Sequence, residues 1–231
     1  MNYFSQKPIF AIGMVFLDIH THKTAQEQDV ISIQSLSLTS DIFLAMPKTR
    51  PISIGLHPWF AELDHLEIQL KYLSVLARQS NVKMIGECGL DKLRGENMQN
   101  QIIILKQQIQ IAETLSKPLI LHCVKAFQEL IDVKNSLKVT VPMIIHGFNK
   151  NMELGRQLIT NGFLLSFGTS LLKNDNSPSK LIQETDDFFL ETDDSEVSIE
   201  DIYQAAANLK KCSVDELKAL IFANWNKFNL H

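Results

Sequence analysis

FLDIHTH, residues 16–22, starts as an apolar run and ends with an acid and two histidines on alternate positions. Alternate side chains of a β-strand share one face, so Asp18, His20 and His22 would all point to the same side of a sheet. Two histidines in this spacing are weak evidence by themselves, because a polar strand end also produces them. The segment predicts a strand, and its histidines indicate a metal site only if other strands supply further ligands.

Seven further short apolar runs follow, and most are separated by longer stretches with helical periodicity. The predicted strands cover residues 15–20, 30–36, 52–56, 83–87, 118–122, 142–146, 163–167 and 188–192. The predicted helices cover residues 62–80, 97–116, 125–137, 150–161, 170–184, 198–210 and 213–222. Strands that alternate with helices are typical of a parallel sheet, and eight of them indicate an α/β fold, a TIM-type (β/α)8 barrel.

The first two β-α units leave no room for ordinary crossover helices. Residues 21–29 separate the first two predicted strands, and residues 37–51 hold at most a short helix closed by Pro47 and Pro51. One flank of the barrel is therefore expected to be stripped of helices and apolar on its outer side. We expect an N-terminal extension, a long C-terminal segment or a second subunit to cover it. If the second subunit is a copy of the same chain, the protein is a homodimer.

Length and composition favour one domain. The chain has 231 residues, of which 45% are hydrophobic and 21% charged, as in an ordinary globular protein. We predict a single domain over residues 14–231, preceded by an extension of residues 1–13 that a start at Met14 would remove. A formal net charge of −4 gives no electrostatic basis for tight, non-specific binding to duplex nucleic acid.

The cysteines and the N-terminal segment favour a cytoplasmic protein. Cys88, Cys123 and Cys212 are an odd, widely spaced set without a CxxC pair, which is typical of a reducing compartment. Residues 7–17 superficially resemble a signal peptide, but no small-residue cleavage site follows them. No apolar stretch reaches the roughly 18 residues that a membrane-spanning helix needs. The sequence therefore predicts no association with a membrane.

Side chains that bind metals stand at the same end of six predicted strands. Besides the first strand, the third leads into His57, the fourth ends at Glu87, the fifth at His122, the sixth at His146 and the eighth at Asp193. In a (β/α)8 barrel the C-terminal strand ends line the active site. Scattered polar residues would not choose the same end of six strands, so the pattern predicts a site there.

The types of ligand narrow the chemistry of this site. Four histidines, one glutamate and one aspartate suit zinc, manganese, iron or magnesium. They exceed the three or four protein ligands of a single catalytic zinc ion. Two divalent cations about 3.5–4 Å apart, bridged by a carboxylate and a water, fit the set better. Such a pair lowers the pKa of the bound water, which is how a hydrolase activates its nucleophile.

These residues resemble the landmarks of the TatD family of metal-dependent hydrolases. The matching segments, in the family's order, are Asp18-Ile-His-Thr-His22, Gly55-Leu-His-Pro58, Ile85-Gly-Glu-Cys-Gly-Leu-Asp91, His122, His146-Gly-Phe148, Glu191-Thr-Asp193 and Asn224-Trp-Asn-Lys-Phe228. The resemblance covers residues 15 to about 228. It implies a metal-dependent hydrolase barrel, and family members are described as Mg²⁺- or Zn²⁺-dependent deoxyribonucleases with activity on DNA ends.

The resemblance also implies roles for the strand-end residues. His20 and His22 would hold one cation, and His122 and His146 would hold the other. Glu87 would bridge the two cations. Asp193 would bind a cation and act as the general base on the attacking water. The expected cofactors are accordingly two divalent ions, with zinc, magnesium and manganese as the candidates.

Four further residues are expected to support the ligands or to meet the substrate. The resemblance implies that Asp18 fixes the orientation of an imidazole. His57 either faces the substrate or caps its strand end, and Asp91 supports the loop around Glu87. Lys125 follows the fifth strand and offers a positive charge. Trp59 and Phe60 either form an aromatic wall that stacks on a base or are half-buried packing residues, while Lys92 and Arg94 are either charges near the mouth or solvated loop residues.

Departures from the family's pattern affect the substrate rather than the ligands. Family members usually carry an arginine two residues after the mid-chain histidine, suited to a phosphate oxygen, and here Val124 stands there. The small hydroxyl residue expected after Phe148 is replaced by Asn149, and the proline expected near the last strand is Ser195. The ligand set therefore predicts a metal hydrolase, while the substrate stays open.

Three hypotheses fit this combination of kept ligands and altered surroundings. The first is a phosphodiesterase or deoxyribonuclease that uses a metal-activated water on DNA or a small phosphoester. The second is a dinuclear hydrolase of a small-molecule amide, ester or lactone, which the absent arginine motivates. The third is a non-catalytic binding protein in which the metal only pins the fold.

Overall fold

The computed structural model describes residues 15–38, 46–173 and 175–230. Eight parallel strands pair in chain order into one barrel sheet. The strands are β1 (Phe16–Thr21), β2 (Val30–Ser37), β3 (Ile52–Gly55), β4 (Val82–Asp91), β5 (Leu119–Val124), β6 (Met143–Ile145), β7 (Leu164–Phe167) and β8 (Phe188–Leu190). The predicted α/β TIM-type barrel is confirmed, and the expected extension, residues 1–13, lies outside the described residues.

Seven α-helices accompany the strands in the described part of the chain. They are α1 (Leu66–Leu76), α2 (Met98–Leu115), α3 (Phe127–Leu137), α4 (Met152–Thr160), α5 (Ser177–Leu181), α6 (Ile199–Lys210) and α7 (Val214–Lys227). The last two helices, α6 and α7, follow β8 and pack against β8 and β1. None of the helices in this described part is both long and apolar enough to cross a lipid bilayer.

The helices begin and end where local chemistry directs. The side chain of Asn97 accepts a hydrogen bond from Asn100 N at the start of α2, and Ser116 ends the helix in the left-handed conformation. Ser213 and Glu216 form a reciprocal capping box at the start of α7. These caps satisfy amide groups that the first turn leaves without partners, so the sequence marks the boundaries locally.

Two glutamines of α2 hold the ends of the third and fourth strands. Gln108, fully buried, accepts from Leu56 N at 2.7 Å and donates to Leu56 O at 3.0 Å. Gln101 does the same for Asp91, accepting from its N–H at 2.7 Å and donating to its carbonyl at 2.9 Å. The apolar periodicity of this helix predicted its packing face. The structure shows that the same face also fixes the backbone beside His57 and Asp91.

The seam between the first and last strands is closed mainly at the mouth of the barrel. Asp193 N donates to His20 O at 2.9 Å, and His22 N donates to Asp193 O at 3.0 Å. Deeper in the seam the hydroxyl of Tyr203, on α6, accepts from Leu17 N and donates to Leu17 O, both at 3.1 Å. A side chain thus replaces the missing ladder bonds of β1, and residues of the mouth complete the closure.

Some predicted boundaries need correction. The single helix predicted at residues 170–184 is a 3₁₀ turn, the short α5 and a second 3₁₀ turn, because Asn176 caps α5 and Pro178 lies in its first turn. The helix predicted at residues 62–80 is only α1, preceded by a 3₁₀ turn at Leu63–His65. The last helix reaches Lys227 rather than residue 222.

The expected bare flank is partly visible. Residues 22–29, between β1 and β2, contain no helix. The segment between β2 and β3 lies partly outside the described residues, so the short helix allowed at residues 37–51 stays a prediction. Next to this flank a cavity of about 500 Å³ is lined by apolar residues that include Ile31, Phe222 and Trp225. A second subunit at this flank also stays a prediction.

Candidate metal centre

Glu87 lies at the middle of the barrel mouth, and its side chain is almost completely buried. Its Oε1 is 2.9 Å from His146 Nε2 and 3.0 Å from His122 Nδ1. Its Oε2 is 3.4 Å from His20 Nε2 and 3.5 Å from His22 Nε2. Each carboxylate oxygen therefore faces its own pair of imidazoles, which is the arrangement of a carboxylate that bridges two cations.

Asp193 completes the half of the centre that contains His20 and His22. Its Oδ1 is 3.5 Å from the Nε2 atom of each histidine. These separations are too long for good hydrogen bonds. They match the spacing of about 3.4 Å between two ligand atoms bound at about 2.1 Å to one tetrahedral cation. The three side chains fit a shared divalent ion better than they fit one another.

The imidazole of His20 gives independent support for a cation in this half. The residue is fully buried, and neither ring nitrogen forms a hydrogen bond to any described residue. A buried polar group without a partner is costly, and native structures rarely keep one without a reason. A metal ion bound at Nε2 would provide that reason.

The other half of the centre is more compact. The separations of 2.9 and 3.0 Å from Glu87 Oε1 to His146 and His122 are hydrogen-bonding distances for a protonated imidazole. They are also close to the spacing of about 3.0 Å between adjacent ligands of an octahedral cation with bonds of about 2.1 Å. This half therefore holds protons or a cation without rearrangement.

His57 joins the cluster, but its hydrogen bonds make it a support for Glu87. Trp59 N donates to His57 Nδ1 at 3.2 Å, so a neutral ring carries its proton on Nε2. That nitrogen lies 3.1 Å from Glu87 Oε1 and donates to it. Of the two alternatives left by the sequence, the bond from Trp59 N supports the cap at the end of β3, while contact with a substrate stays a prediction. His57 holds the central carboxylate.

Asp91 orients His122. Its Oδ2 lies 3.2 Å from His122 Nε2 and accepts from Trp59 Nε1 at 2.7 Å, while Oδ1 accepts from Leu93 N at 2.7 Å. A proton held on Nε2 leaves the lone pair of Nδ1 directed at the Glu87 side of the centre. Burial raises the pKa of Asp91, but the hydrogen bonds from Trp59, Leu93 and His122 more than offset it, and the net pKa is lowered.

Asp18 does not contact an imidazole, which corrects the role implied for it. Its Oδ1 accepts from His20 N at 3.2 Å and from Thr192 N at 3.1 Å, and its Oδ2 accepts from Thr192 Oγ1 at 2.6 Å. The carboxyl group therefore fixes backbone on both sides of the seam between β1 and β8. Burial raises the pKa of Asp18 to about 7, against the lowering effect of the bonds from Thr192.

Glu191 is a site residue to which the sequence analysis gave no role. It is fully buried, and neither carboxylate oxygen forms a hydrogen bond within the described residues. Its Oε1 lies 3.5 Å from His146 Nδ1, on the opposite side of the ring from Glu87. A signal was present in the sequence, because Glu191 and Asp193 alternate after the apolar end of β8 just as His20 and His22 do at the end of β1.

The charges of the centre depend on one another. Burial raises the pKa of Glu87, but His146, His122 and His20 more than offset it, so its pKa falls well below the ordinary value. Burial and the charge of His146 lower the pKa of His20, yet Asp193 and Glu87 raise it to about 9. The pKa of His146 is also raised, by Glu87 and Glu191, in spite of its burial. The opposite pKa shifts of Glu87 and of these two histidines show how strongly their charges interact.

Positive and aromatic side chains near the mouth have mixed arrangements. Lys125 is exposed directly after β5, and no hydrogen bond or ion pair links it to another described residue. Lys92 forms an ion pair with Glu129. The guanidinium carbon of Arg94 lies 4.4 Å from the ring centroid of Trp59. Trp59 and Phe60 are 39% and 55% exposed, and a role as an aromatic wall that stacks on a base stays a prediction.

The structure brings together every ligand that the sequence predicted. Groups of three donor residues whose ligand atoms lie within 4.8 Å of one another combine Glu87 with His20 and His146, Glu87 with His57 and His122, and His20 with His22 and Asp193. Buried carboxylates behind His122 and His146 add the outer support that metal-binding histidines usually have. The arrangement suits divalent cations that activate a water.

Comparisons with known proteins agree with this chemistry. The model of the TatD related DNase family matches residues 16–229 of the chain. A relative from Methanocaldococcus jannaschii, described as "Uncharacterized metal-dependent hydrolase MJ1582", is 25% identical over 221 residues, which cover 88% of this chain and 87% of the relative. A Yersinia pseudotuberculosis relative described as "3'-5' ssDNA/RNA exonuclease TatD" is 32% identical over 101 residues, 43% of this chain and 38% of the relative.

A solved structure shows the same fold. The crystal structure of YjjV, a TatD homologue from Escherichia coli K12, superimposes with a TM-score of 0.76 and 18% sequence identity. The match covers 94% of this chain and 98% of that one. Together with the family match over residues 16–229, the ligands around Glu87 lead to one conclusion. The chain belongs to the TatD related DNase family and is a metal-dependent hydrolase of that family.

Proposed function

We propose that this protein is a phosphodiesterase of the deoxyribonuclease type, which cleaves DNA or a small phosphoester with a metal-activated water. The observation that carries the proposal is the position of Glu87, whose two oxygens each face a separate pair of imidazoles. Two divalent cations held in that way would activate water and neutralise charge on the attacked phosphate. Zinc, magnesium and manganese are the candidates, because mixed sites of histidine and carboxylate accept each of them.

Asp193 is the side chain best suited to remove a proton from the attacking water. Its side chain is 35% exposed, so water reaches it, whereas Glu87 is enclosed. Its Oδ1 faces His20 and His22, and within the described residues Oδ2 makes no hydrogen bond. Burial raises the pKa of Asp193, but His20 and His146 more than offset it, so the net pKa is lowered, and the choice of Asp193 rests on its position and exposure.

The choice of a phosphodiester has two supports. The relative from Yersinia pseudotuberculosis is described as an exonuclease on single-stranded DNA and RNA. Direct contact between cations and a scissile phosphate also lessens the need for a basic protein surface. This second point matters here, because the formal net charge of the chain is −4.

A second candidate function is the hydrolysis of a small-molecule ester, amide or lactone. It is favoured by Val124, which stands where the resemblance implies a phosphate-binding arginine, and by the exposed acids Asp194 and Glu196 beside the mouth. A neutral substrate would not be repelled by these acids.

One panel of substrates separates the candidates. Protein loaded in turn with Zn²⁺, Mn²⁺ and Mg²⁺ would be assayed on bis-p-nitrophenyl phosphate, end-labelled single-stranded DNA and a set of p-nitrophenyl esters and lactones. We expect turnover of the two phosphodiesters. Turnover of esters or lactones alone would establish the second candidate. Metal-replete protein without activity on any member would favour a binding protein in which the metal only stabilises the fold.

Elemental analysis of the same preparation tests the cofactors, with two equivalents of divalent metal per chain as the expected result.

We also propose a cytoplasmic location, because Cys88, Cys123 and Cys212 are all free thiols. We further propose that a second copy of the chain covers the bare flank of β1 and β2, so that the protein is a homodimer. Light scattering after size exclusion would give the mass of a monomer if that proposal is wrong.

A further inference from the structure

A polar groove leads away from the metal centre between the ends of β6, β7 and β8. Its inner part, about 120 Å³, is lined by Glu191 and Asp193. Its outer part, about 550 Å³, extends over the loops that follow β6 and β7. Asn149, Thr169 and Ser170 line both parts, so the two form one continuous groove.

The outer part of the groove is positively charged. Lys150 and Lys173 line it, and the described lining residues include no acid. Neither lysine forms an ion pair with a carboxylate of the described chain. Nearby basic residues behave differently, since Lys180 pairs with Asp175 at 2.9 Å and Arg156 with Glu184 at 2.6 Å. The groove therefore keeps two ammonium groups available for an anionic ligand.

The inner end has the opposite charge. Glu191, Asp193 and Asp194 line it, and the cations of the centre would neutralise acids there. A ligand that meets cations at the inner end and ammonium groups at the outer end must carry negative charge at both. Amide and hydroxyl groups of Asn149, Thr169 and Ser170, which line both parts, lie between the two ends and suit sugar and phosphate oxygens.

The backbone that carries the two lysines is well anchored. Lys173 O accepts from Ser179 Oγ at 3.0 Å, and Ser170 Oγ donates to Phe148 O at 3.3 Å. Asn151, next to Lys150, caps α4 by accepting from Leu154 N at 2.9 Å. Only the flexible lysine side chains would have to be ordered when a ligand binds, which keeps the entropic cost of binding small.

We propose that this groove binds the sugar-phosphate backbone of a single-stranded nucleic acid beyond the scissile bond, with Lys150 and Lys173 contacting its phosphates. The proposal rests on the proposed phosphodiesterase function and specifies the substrate as a strand with further phosphates. A volume of about 550 Å³ encloses about one or two nucleotides rather than a duplex. The positive charge absent at Val124, the last residue of β5, is thus supplied from the loops after β6 and β7.

Binding of a short strand tests the groove directly. The double variant Lys150→Gln/Lys173→Gln would be compared with Lys48→Gln/Lys71→Gln, which removes two exposed lysines elsewhere and has the same net charge. The probe is a fluorescein-labelled thymidine tetramer with phosphorothioate linkages, which resist hydrolysis. Anisotropy titrations on metal-replete protein between about 50 and 200 mM NaCl would give the Kd and its salt dependence.

We expect the groove variant to bind the tetramer about tenfold more weakly than the wild type and the control. The slope of log K against log salt should also fall by roughly 1.4, since each phosphate contact on a single strand contributes about 0.7. Turnover of bis-p-nitrophenyl phosphate, which has no flanking phosphate, should be unchanged in both double variants.

The experiment distinguishes an error in the proposed groove from an error in the proposed phosphodiesterase function. Wild-type affinity and slope in the groove variant would overturn the groove while hydrolysis of bis-p-nitrophenyl phosphate still supported the function. A parallel loss of bis-p-nitrophenyl phosphate turnover in the groove variant would also overturn it, because the lysines would then act at the metal centre. Tight tetramer binding without hydrolysis of any phosphodiester would support the groove and contradict the function.

Discussion

Glu191 Oε1 lies 3.5 Å behind Nδ1 of His146, and both side chains are shielded from solvent. The opposite nitrogen of the same imidazole lies 2.9 Å from Glu87 Oε1. The imidazole of His146 therefore lies between two carboxylates: Glu87, at the middle of the barrel mouth, and Glu191, behind the ring. The negative charge of the outer carboxylate favours a proton on Nδ1 of His146, which would leave Nε2 as the ligand nitrogen.

Replacing Glu191 should weaken metal binding. Glu191→Gln removes the negative charge behind His146 at nearly constant volume, and we expect a loss of about 10- to 100-fold in affinity for the metal. Competition with a zinc-chelating dye would measure the affinity. Glu196→Gln, an exposed acid after β8, is the matched control and should bind metal as the wild type does. Equal affinities in the two variants would show that Glu191 only fills space.

Asp193→Asn should separate catalysis from folding. The amide keeps the shape of the side chain and the main-chain bonds to His20 and His22, but it cannot accept a proton. We expect kcat on bis-p-nitrophenyl phosphate to fall by about 10²- to 10⁴-fold. Circular dichroism should be unchanged, and Asp194→Asn, at the exposed neighbouring position, should retain activity. Undiminished turnover in Asp193→Asn would rule out Asp193 as the general base.

Tyr203→Phe should destabilise the seam of the barrel. The hydroxyl pairs with both backbone groups of Leu17, and its loss leaves a buried N–H and a buried carbonyl without partners. We expect the free energy of unfolding to fall by about 1–3 kcal/mol in urea denaturation. Ile103→Val, at an exposed position of α2, should change it by less than about 0.5 kcal/mol. Equal free energies of unfolding in Tyr203→Phe and the wild type would mean that water replaces the hydroxyl.

Glu113 should contribute stability that disappears in acid. Burial raises the pKa of this carboxyl, but hydrogen bonds from Val141 N and from Thr140 N and Oγ1, at 3.0, 2.6 and 2.7 Å, more than offset it. A folded-state pKa below the unfolded value of 4.5 stabilises the native state above that pH. The stabilisation is then lost as the pH falls through the folded-state pKa.

Glu113→Gln is therefore expected to cost about 1 kcal/mol at neutral pH and progressively less below about pH 4.5. Urea denaturation of both proteins between pH 7 and the acid limit of folding would show whether the two stability curves converge. A gap that stays constant through that range would contradict the assigned hydrogen bonds. Glu196→Gln should follow the wild-type curve throughout.

The sequence predicted those features that depend on periodicity. Alternation placed His20 and His22 on one face of β1, and the barrel architecture brought the other strand ends to the same mouth. These inferences need only the two-residue repeat of a strand and the known polarity of parallel strands. For the same reason the strand boundaries were predicted to within a few residues, although β4 continues to Asp91.

The support of the ligands could not be predicted in the same way. Asp91, rather than Asp18, orients an imidazole, because the long β4 carries Asp91 past Glu87 to reach His122. The role of His57 depends on which nitrogen accepts from Trp59 N, a contact that no spacing reveals. The contacts of the buried Gln101 and Gln108 of α2 with Asp91 and Leu56 likewise follow from no spacing in the sequence. These features are set by tertiary distances rather than by the local pattern.

The closure of the barrel by Asp193 has a consequence for the order in which the molecule can be assembled on the ribosome. The main-chain partners of Asp193 are His20 and His22, which are synthesised far earlier. Until the eighth strand emerges, the first strand has a free edge, and the carboxylate of Asp193 is missing from the barrel mouth. A nascent chain released before the last strand would therefore expose an edge open to aggregation.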